Sequence, residues 1–243
     1  MSFWSVLGRG AADVLFPPVC VDCRGLVEGG GYRHLCARCA SAVEFIGGPA
    51  CARCGHPYAG GSPDDGVCPH CTHFTPAFGR ARSAVRLRGP ARALLLELKY
   101  RGGRQVLEDI AEIFRRSPEV LGHVRGGVLV PVPLHPRKER ERGFNQSALL
   151  AGLLARAAAG GTAVRPLLRR VVDTPTQTGF DQASRRANLK NAFALASGVV
   201  LTGRLRYLIV DDVFTTGSTL NSCACVLRRA GGGSLDVVTF GHG

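Results

Sequence analysis

The chain reads as an α/β protein: a mostly parallel sheet flanked by helices, carried behind a small cysteine-rich N-terminal module. Three observations predict it. Eight of the ten cysteines fall in four C-x-x-C pairs within the first 75 residues. Beyond residue 80, short apolar runs alternate with stretches of helical periodicity, the pattern of strands joined by helical crossovers. One such run, Leu208-Ile209-Val210, ends in the adjacent acids Asp211 and Asp212. A turn rich in hydroxyls, Thr215-Thr216-Gly217-Ser218-Thr219, then leads into a helical run from Leu220 to Arg229. The 243 residues suffice for one medium and one small domain. The expected boundaries are an N-terminal helix or tail at 1–15, the cysteine module at 16–76, and the sheet domain at 80–243.

Residues 1–18 show no basic leader, long apolar core or cleavage site, so a cytoplasmic location is expected. Phe3, Trp4, Leu7, Val14 and Leu15 suit a short amphipathic helix packed on its own protein. No apolar run reaches the roughly 18 residues of a membrane span. Thiols in a reducing compartment stay free of disulfides. The pairs Cys20/Cys23, Cys36/Cys39, Cys51/Cys54 and Cys68/Cys71 therefore read as metal knuckles, separated by 12, 11 and 13 residues. Two such pairs make a tetrahedral set of four thiolates, which selects zinc ahead of an iron–sulfur cluster. Two structural Zn²⁺ ions follow. Sequential pairing is preferred over interleaved, because each pair of knuckles encloses a hairpin-sized loop. Few large apolar residues lie between Phe16 and Thr75, so metal must staple what the core cannot hold; a structural site supplies on the order of 10 kcal/mol. With eight thiolates filling two sites, His34, His56, His70 and His73 are expected at the surface rather than as ligands.

The sheet domain follows in order. Ser83 to Arg88 alternates as a half-buried strand. Ala91 to Tyr100 is a helix with Leu94, Leu95 and Leu98 inward, ending at Lys99, a candidate anion contact. Arg104 to Arg116 is a second helix. Gly127 to Val132 is a buried strand that runs into a basic, proline-containing loop with Arg137, Lys138, Arg140 and Arg142. Asn145 and Gln146 open the next helix, to Ala158. Ala163 to Val172 is a strand region, and the polar stretch after it lacks apolar periodicity and is expected as a loop or hairpin. In the helix after Gly217, Leu220, Cys223, Ala224 and Leu227 share one face, so Cys223 and Cys225 read as ordinary thiols. Ser234 to Phe240 is a last strand. A basic loop after a strand lies at the carboxyl edge of a sheet, where open α/β sheets bind ligands.

The turn at Thr215–Thr219 has the chemistry of a phosphate cradle. The first amides of a helix have no internal partners, and the helix dipole favours an anion there. Gly217 allows close backbone approach, and the Thr and Ser hydroxyls add donors. Asp211 and Asp212 before it suit hydroxyl groups or a metal ion. The net charge of +13 suits a polyanionic partner or a phosphorylated small molecule, although an Arg-rich composition also follows from base composition alone.

The string YLIVDDVFTTGST, from Tyr207 to Thr219, resembles the phosphoribosyl pyrophosphate (PRPP) signature of type I phosphoribosyltransferases. Four features together widen the resemblance to the ComF family of competence-associated proteins: the knuckles after Phe16-Pro17-Pro18, LKYRG at 98–102, VPVPLHPRKERERGFNQS at 130–147, and TPTQTGFDQASRRANLKNAF at 174–193 before VDDVFTTGST. The resemblance covers about Phe16 to Gly243. It implies a double zinc ribbon fused to a mostly parallel sheet of type I phosphoribosyltransferase fold. It implies PRPP with Mg²⁺ at the site, Asp211 and Asp212 as the catalytic ribose clamp, and Thr215, Thr216, Gly217, Ser218 and Thr219 on the 5′-phosphate. Arg137, Lys138 and Arg142 are then expected on pyrophosphate, and Gln177 and Arg185 in a flexible loop that closes over the site. The reaction implied is transfer of ribosyl phosphate to an acceptor that the sequence does not identify. The family also implies single-stranded DNA, a DNA-uptake helicase or membrane-associated competence machinery as partners, and a peripheral position at the inner face of the membrane. The rival reading is a catalytically silent module that binds single-stranded DNA or senses PRPP. Aromatics at 7% weaken the DNA reading, since single-strand binders add stacking platforms.

Overall fold

The strand with the longest apolar run is the middle of the sheet. This is a computed structural model, and it describes residues 17–58, 66–72, 74–100, 103–158, 160–172 and 192–243. Expectations for residues 1–15, His73, Gln177 and Arg185 lie outside the described residues. The sheet contains β1 (Ala81–Arg86), β2 (Val128–Pro131), β3 (Ala163–Val164), β6 (Arg206–Phe214) and β7 (Ser234–His242). Their order is β1-β7-β6-β2-β3, and every pairing is parallel. A separate antiparallel pair joins β4 (Leu168–Arg170) to β5 (Phe193–Leu195). The expected strand region at 163–172 is thus divided between two sheets. Pro166 lies at the break, where its missing N–H cannot continue a ladder.

Apolar runs in the central strands follow from burial on both faces. Leu129, Leu208, Val210, Val238 and Phe240 face one core, with α3 (Gly89–Tyr100), α4 (Leu107–Arg115), α5 (Pro118–Val124) and α7 (Gln146–Ala158). Val128, Val130, Tyr207, Ile209 and Val237 face the other, with α8 (Ser218–Arg229). The helix expected at Arg104–Arg116 is a 3₁₀ turn, Arg104–Val106, followed by α4. It is followed in turn by α5, which the sequence reading did not identify and which begins with Pro118 in its first turn. The basic loop expected after β2 is a short helix, α6 (Pro136–Arg142). Proline at its start, His135 accepting from the Arg137 amide at 3.3 Å, and Gly143 in the left-handed conformation (φ 79°) explain both ends.

The cysteine module straddles the sheet. It contains two single-turn helices, α1 (Ala37–Ser41) and α2 (Pro69–Thr72). Its first half packs in the core with α3 and α4, and its second half packs in the opposite core. The link between the halves runs antiparallel along the outer edge of β1, bridging Phe45 to Val85. Ile46 N donates to Ala84 O at 2.9 Å, and Arg86 N donates to Glu44 O at 2.9 Å. An edge that would otherwise expose unpaired amides is thereby covered. Among the described residues no helix is long and apolar enough to cross a membrane.

Candidate functional site

Strand β6 keeps β2 as a neighbour only as far as Val210, where Val132 N donates to Val210 O at 2.9 Å. On its other side β7 continues to Phe214, so the strand runs through the acids rather than ending at them. Asp211 and Asp212 therefore sit where the sheet opens between β6 and β2. The start of α7 fills that opening. Asn145 caps it: its Oδ1 accepts from the Ser147 and Ala148 amides at 2.9 and 3.4 Å, and its Nδ2 donates to Val132 O at 3.0 Å.

That cap aims two side chains at the acids. Ser147 Oγ donates to Asp211 Oδ1 at 2.9 Å, and Gln146 Nε2 donates to Asp212 Oδ2 at 3.2 Å. From the C-terminal end of α3, Lys99 Nζ reaches Asp212 Oδ2 at 2.6 Å, with its side chain only 20% exposed and that of Asp212 9%. Asp211 also accepts from the Asp212 amide at 2.9 Å. Among the described residues both of these bonds fall on Oδ1. Burial, and then the neighbouring Asp212 charge, push the Asp211 carboxyl up from 3.8 to about 7.

Of the three basic residues expected on pyrophosphate, Arg142 reaches Asp212 through Gln146. Its guanidinium donates to Gln146 Oε1 at 2.6 Å and lies 5.7 Å from the Tyr100 ring centre. Arg142, Gln146, Asp212 and Lys99 form one continuous polar chain. Arg137 and Lys138 lie on the same short helix, where Arg137 pairs with Glu141 at 2.9 Å on its exposed face. Lys99, Gln146 and Ser147 were not in the expected acid-binding set. The available signals were that Lys99 is one of three lysines and that Gln146 and Ser147 open a helix beside the strand end.

The turn after β6 has the expected form. Gly217 caps α8 with φ 72°, and a Cβ there would lie 2.8 Å from Phe214 Cζ and 3.3 Å from Phe74 Cε1. Glycine is required both for the backbone angle and for space. Thr215 is exposed, while Thr216, Ser218 and Thr219 are half-buried. Thr216 Oγ1 and Ser218 Oγ hydrogen-bond at 2.9 Å. Behind the turn, Phe214 stacks on His242 with ring centres 5.2 Å apart and packs edge-on against Phe78 at 6.3 Å. Asn221 Oδ1 accepts from the Ala77 amide at 2.7 Å, so the segment just after the cysteine module is pinned to α8.

The thiols form two clusters. Cys20, Cys23, Cys36 and Cys39 converge, as do Cys51, Cys54, Cys68 and Cys71, with sulfurs in each set within 4.8 Å of one another. Pairing is sequential. The Cys23–Cys36 and Cys54–Cys68 sulfurs are 3.6 Å apart, close to the edge of roughly 3.8 Å of a tetrahedron with Zn–S bonds of about 2.3 Å. The Gly25 amide holds the Cys23 thiol down at about 6, whereas burial pushes Cys71 up to about 12. Four thiolates in so small a space need a dication between them, and these donors fit Zn²⁺. His34 is not the surface residue expected. Asp109, 1% exposed on α4, accepts from the Arg33 and His34 amides at 2.6 and 2.8 Å and from His34 Nδ1 at 3.1 Å. It thereby fastens the first cluster's loop to the helices.

Residues 11–72 match the family model described as a double zinc ribbon domain. The chain is 34% identical over 207 residues to the DNA utilization protein YhgH of Salmonella typhimurium, covering 84% of this chain and 88% of that one. It is 29% identical over 219 residues to competence protein F of Haemophilus influenzae, covering 87% and 91%. A solved hypoxanthine phosphoribosyltransferase from Staphylococcus aureus overlaps 55% of this chain and 62% of its own, at 18% identity and a TM-score of 0.36.

Proposed function

The chain belongs to the ComF family, and from that premise we propose that the opening between β6 and β2 is a PRPP site at which ribosyl phosphate is transferred to an acceptor. One observation carries the reading. Adjacent acids, Asp211 half-buried and Asp212 buried, lie just before a glycine-capped helix start; Lys99 pairs with Asp212, and Arg142 reaches Asp212 through Gln146.

In this reading the acceptor-free site binds the donor at three points. The Asp211 and Asp212 carboxylates accept from the ribose hydroxyls. The amides that open α8, with the hydroxyls of Thr215, Thr216, Ser218 and Thr219, hold the 5′-phosphate against the positive end of the helix. Arg142, with Arg137 and Lys138 on the same helix, offers positive charge to the diphosphate. Carboxylate oxygens at Asp211 and Asp212 are the hard donors that Mg²⁺ takes, and the ion would spread the diphosphate charge as it leaves. Positioning and charge supply the catalysis: the acids lie close to the carbon that becomes positive as its bond to diphosphate lengthens. The names of the relatives supply the setting, DNA utilization and competence, which we carry to this chain as part of the same proposal. The zinc ribbons are structural here, because every coordination position is a thiolate.

Calorimetric titration of the zinc-loaded chain with PRPP and Mg²⁺ tests this. Saturable binding is expected, lost in the chain carrying both Asp211→Asn and Asp212→Asn while its unfolding remains cooperative. Undiminished binding by that variant would refute the site.

A further inference from the structure

Lys99 stands out because nothing in the phosphate-cradle pattern requires it, yet it makes the shortest contact to the acids. Its ammonium pairs with Asp212 at 2.6 Å in a mostly buried setting. On the same carboxylate oxygen, Gln146 donates at 3.2 Å, and Gln146 in turn holds Arg142. Asp212 Oδ2, one of the two oxygens that the PRPP reading offers to a ribose hydroxyl, is thus already occupied by a cation and an amide.

Displacing that cation has a consequence. A buried ion pair broken on one side leaves the other charge without compensation, at a cost of several kcal/mol. The incoming ligand can avoid that cost only if it brings an anion within reach of the ammonium. A lysine suits such a transfer, since its charge sits on a flexible four-carbon stem and carries three donors, whereas a guanidinium fork is fixed in plane. The surroundings separate the two roles. Arg142 is held by Gln146 and lies over Tyr100, the residue next to Lys99. Lys99 pairs with Asp212 and sits at the last turn of α3, where the chain leaves the helix.

We propose that Lys99 is a switching residue of the site: it neutralises Asp212 while the site is empty and moves to the diphosphate when the ribose hydroxyl takes Asp212. This rests on the PRPP reading above and adds a selectivity to it. A donor bearing both ribose and diphosphate offers Lys99 a new partner. Ribose 5-phosphate displaces Lys99 and offers it none. Lys99 would therefore act as a positioning group that favours the diphosphate-bearing ligand over the product-like sugar phosphate.

The test compares PRPP with ribose 5-phosphate, each with Mg²⁺, by calorimetry on the full zinc-loaded chain. Lys99→Met removes charge and donors. Lys99→Gln removes the charge but keeps a donor for Asp212, and so guards against misfolding. Losing a hydrogen bond to a charged group should weaken PRPP binding about 10- to 100-fold. Ribose 5-phosphate binding should stay within about 3-fold of wild type or tighten, because the ligand no longer has to break an ion pair. Equal weakening of both ligands, or no change in PRPP affinity, would show Lys99 to be structural and overturn the inference while leaving the PRPP site standing. If the wild-type chain bound neither ligand, the PRPP reading itself would fail and this inference with it.

Discussion

Replacing Asp211 by asparagine should stabilise the protein, and by an amount that grows with pH. Among the described residues both hydrogen bonds to Asp211 end on Oδ1, from Ser147 Oγ and the Asp212 amide. An asparagine oxygen can accept both, so the substitution removes charge with little loss of geometry. Burial and the Asp212 charge raise the carboxyl from 3.8 to about 7 in the folded chain. Between those values the folded state holds a proton that the unfolded state has released. Stability therefore falls as pH rises from about 4 to about 7 and is level above. The penalty is roughly 2 kcal/mol near pH 5.5 and roughly 4 kcal/mol near pH 8. Costs specific to the new amide group are common to both conditions and cancel. The stabilisation by Asp211→Asn should be about 2 kcal/mol larger near pH 8 than near pH 5.5. Urea unfolding of zinc-saturated protein, followed by far-ultraviolet circular dichroism, measures it. An advantage that is equal at both pH values, or that shrinks as pH rises, would refute the account of a strained acid held in place for a ligand.

Other outcomes follow from the same geometry. Gly217→Ala should cost about 2–4 kcal/mol, from the left-handed backbone angle and the clash with Phe214, and should weaken PRPP binding, read by denaturant titration and calorimetry. Asp109→Ala should cost roughly 2–5 kcal/mol, because two backbone amides and His34 lose their acceptor. Proteolysis should then cut first in the Gly29–Arg33 loop while the sheet domain stays intact; resistance there would contradict the anchoring role. Metal analysis should find two zinc ions per chain, and Cys54→Ser should lower this to one. Chelating the zinc should loosen the Gly217 turn as well as the ribbons, since Phe74, just after the second cluster, would contact a Cβ at Gly217. Unchanged thermal unfolding after chelation would contradict the staple role.

Much of the fold is legible in the sequence because its signals are local. The apolar run at Leu208–Val210, the face Leu220/Cys223/Ala224/Leu227, and the knuckle spacings each report burial or chelation within a few residues. Sequential pairing of the knuckles is preferred on loop length, and the two thiol clusters have that pairing. Other features were hidden because they depend on long-range placement. Nothing near Phe45 indicates that residues 44–46 will pair with the edge of β1. Nor does anything beside Asp109 mark it as the acceptor for amides 75 residues earlier in the chain. The basic run 137–142 reads as a loop in the sequence because its charges obscure a helical stretch that Pro136 and Gly143 delimit. At the candidate site, the acids and the hydroxyl-rich turn are visible as a contiguous string. Lys99 was visible only as a residue at a helix end, since its partner is more than a hundred residues away. The acid pair proposed to hold the ribose can be read from one segment, but its counter-charges come from two others.

The central claim is that the stretch from Asp211 to Leu220 is where a phosphoribosyl donor sits. Amide hydrogen exchange of the zinc-loaded chain, with and without PRPP and Mg²⁺, tests it most directly. The account predicts slowed exchange at Thr215–Leu220 and at the start of α7, with the ribbons unchanged. PRPP-dependent protection confined to other segments, or none at saturating PRPP, would contradict it.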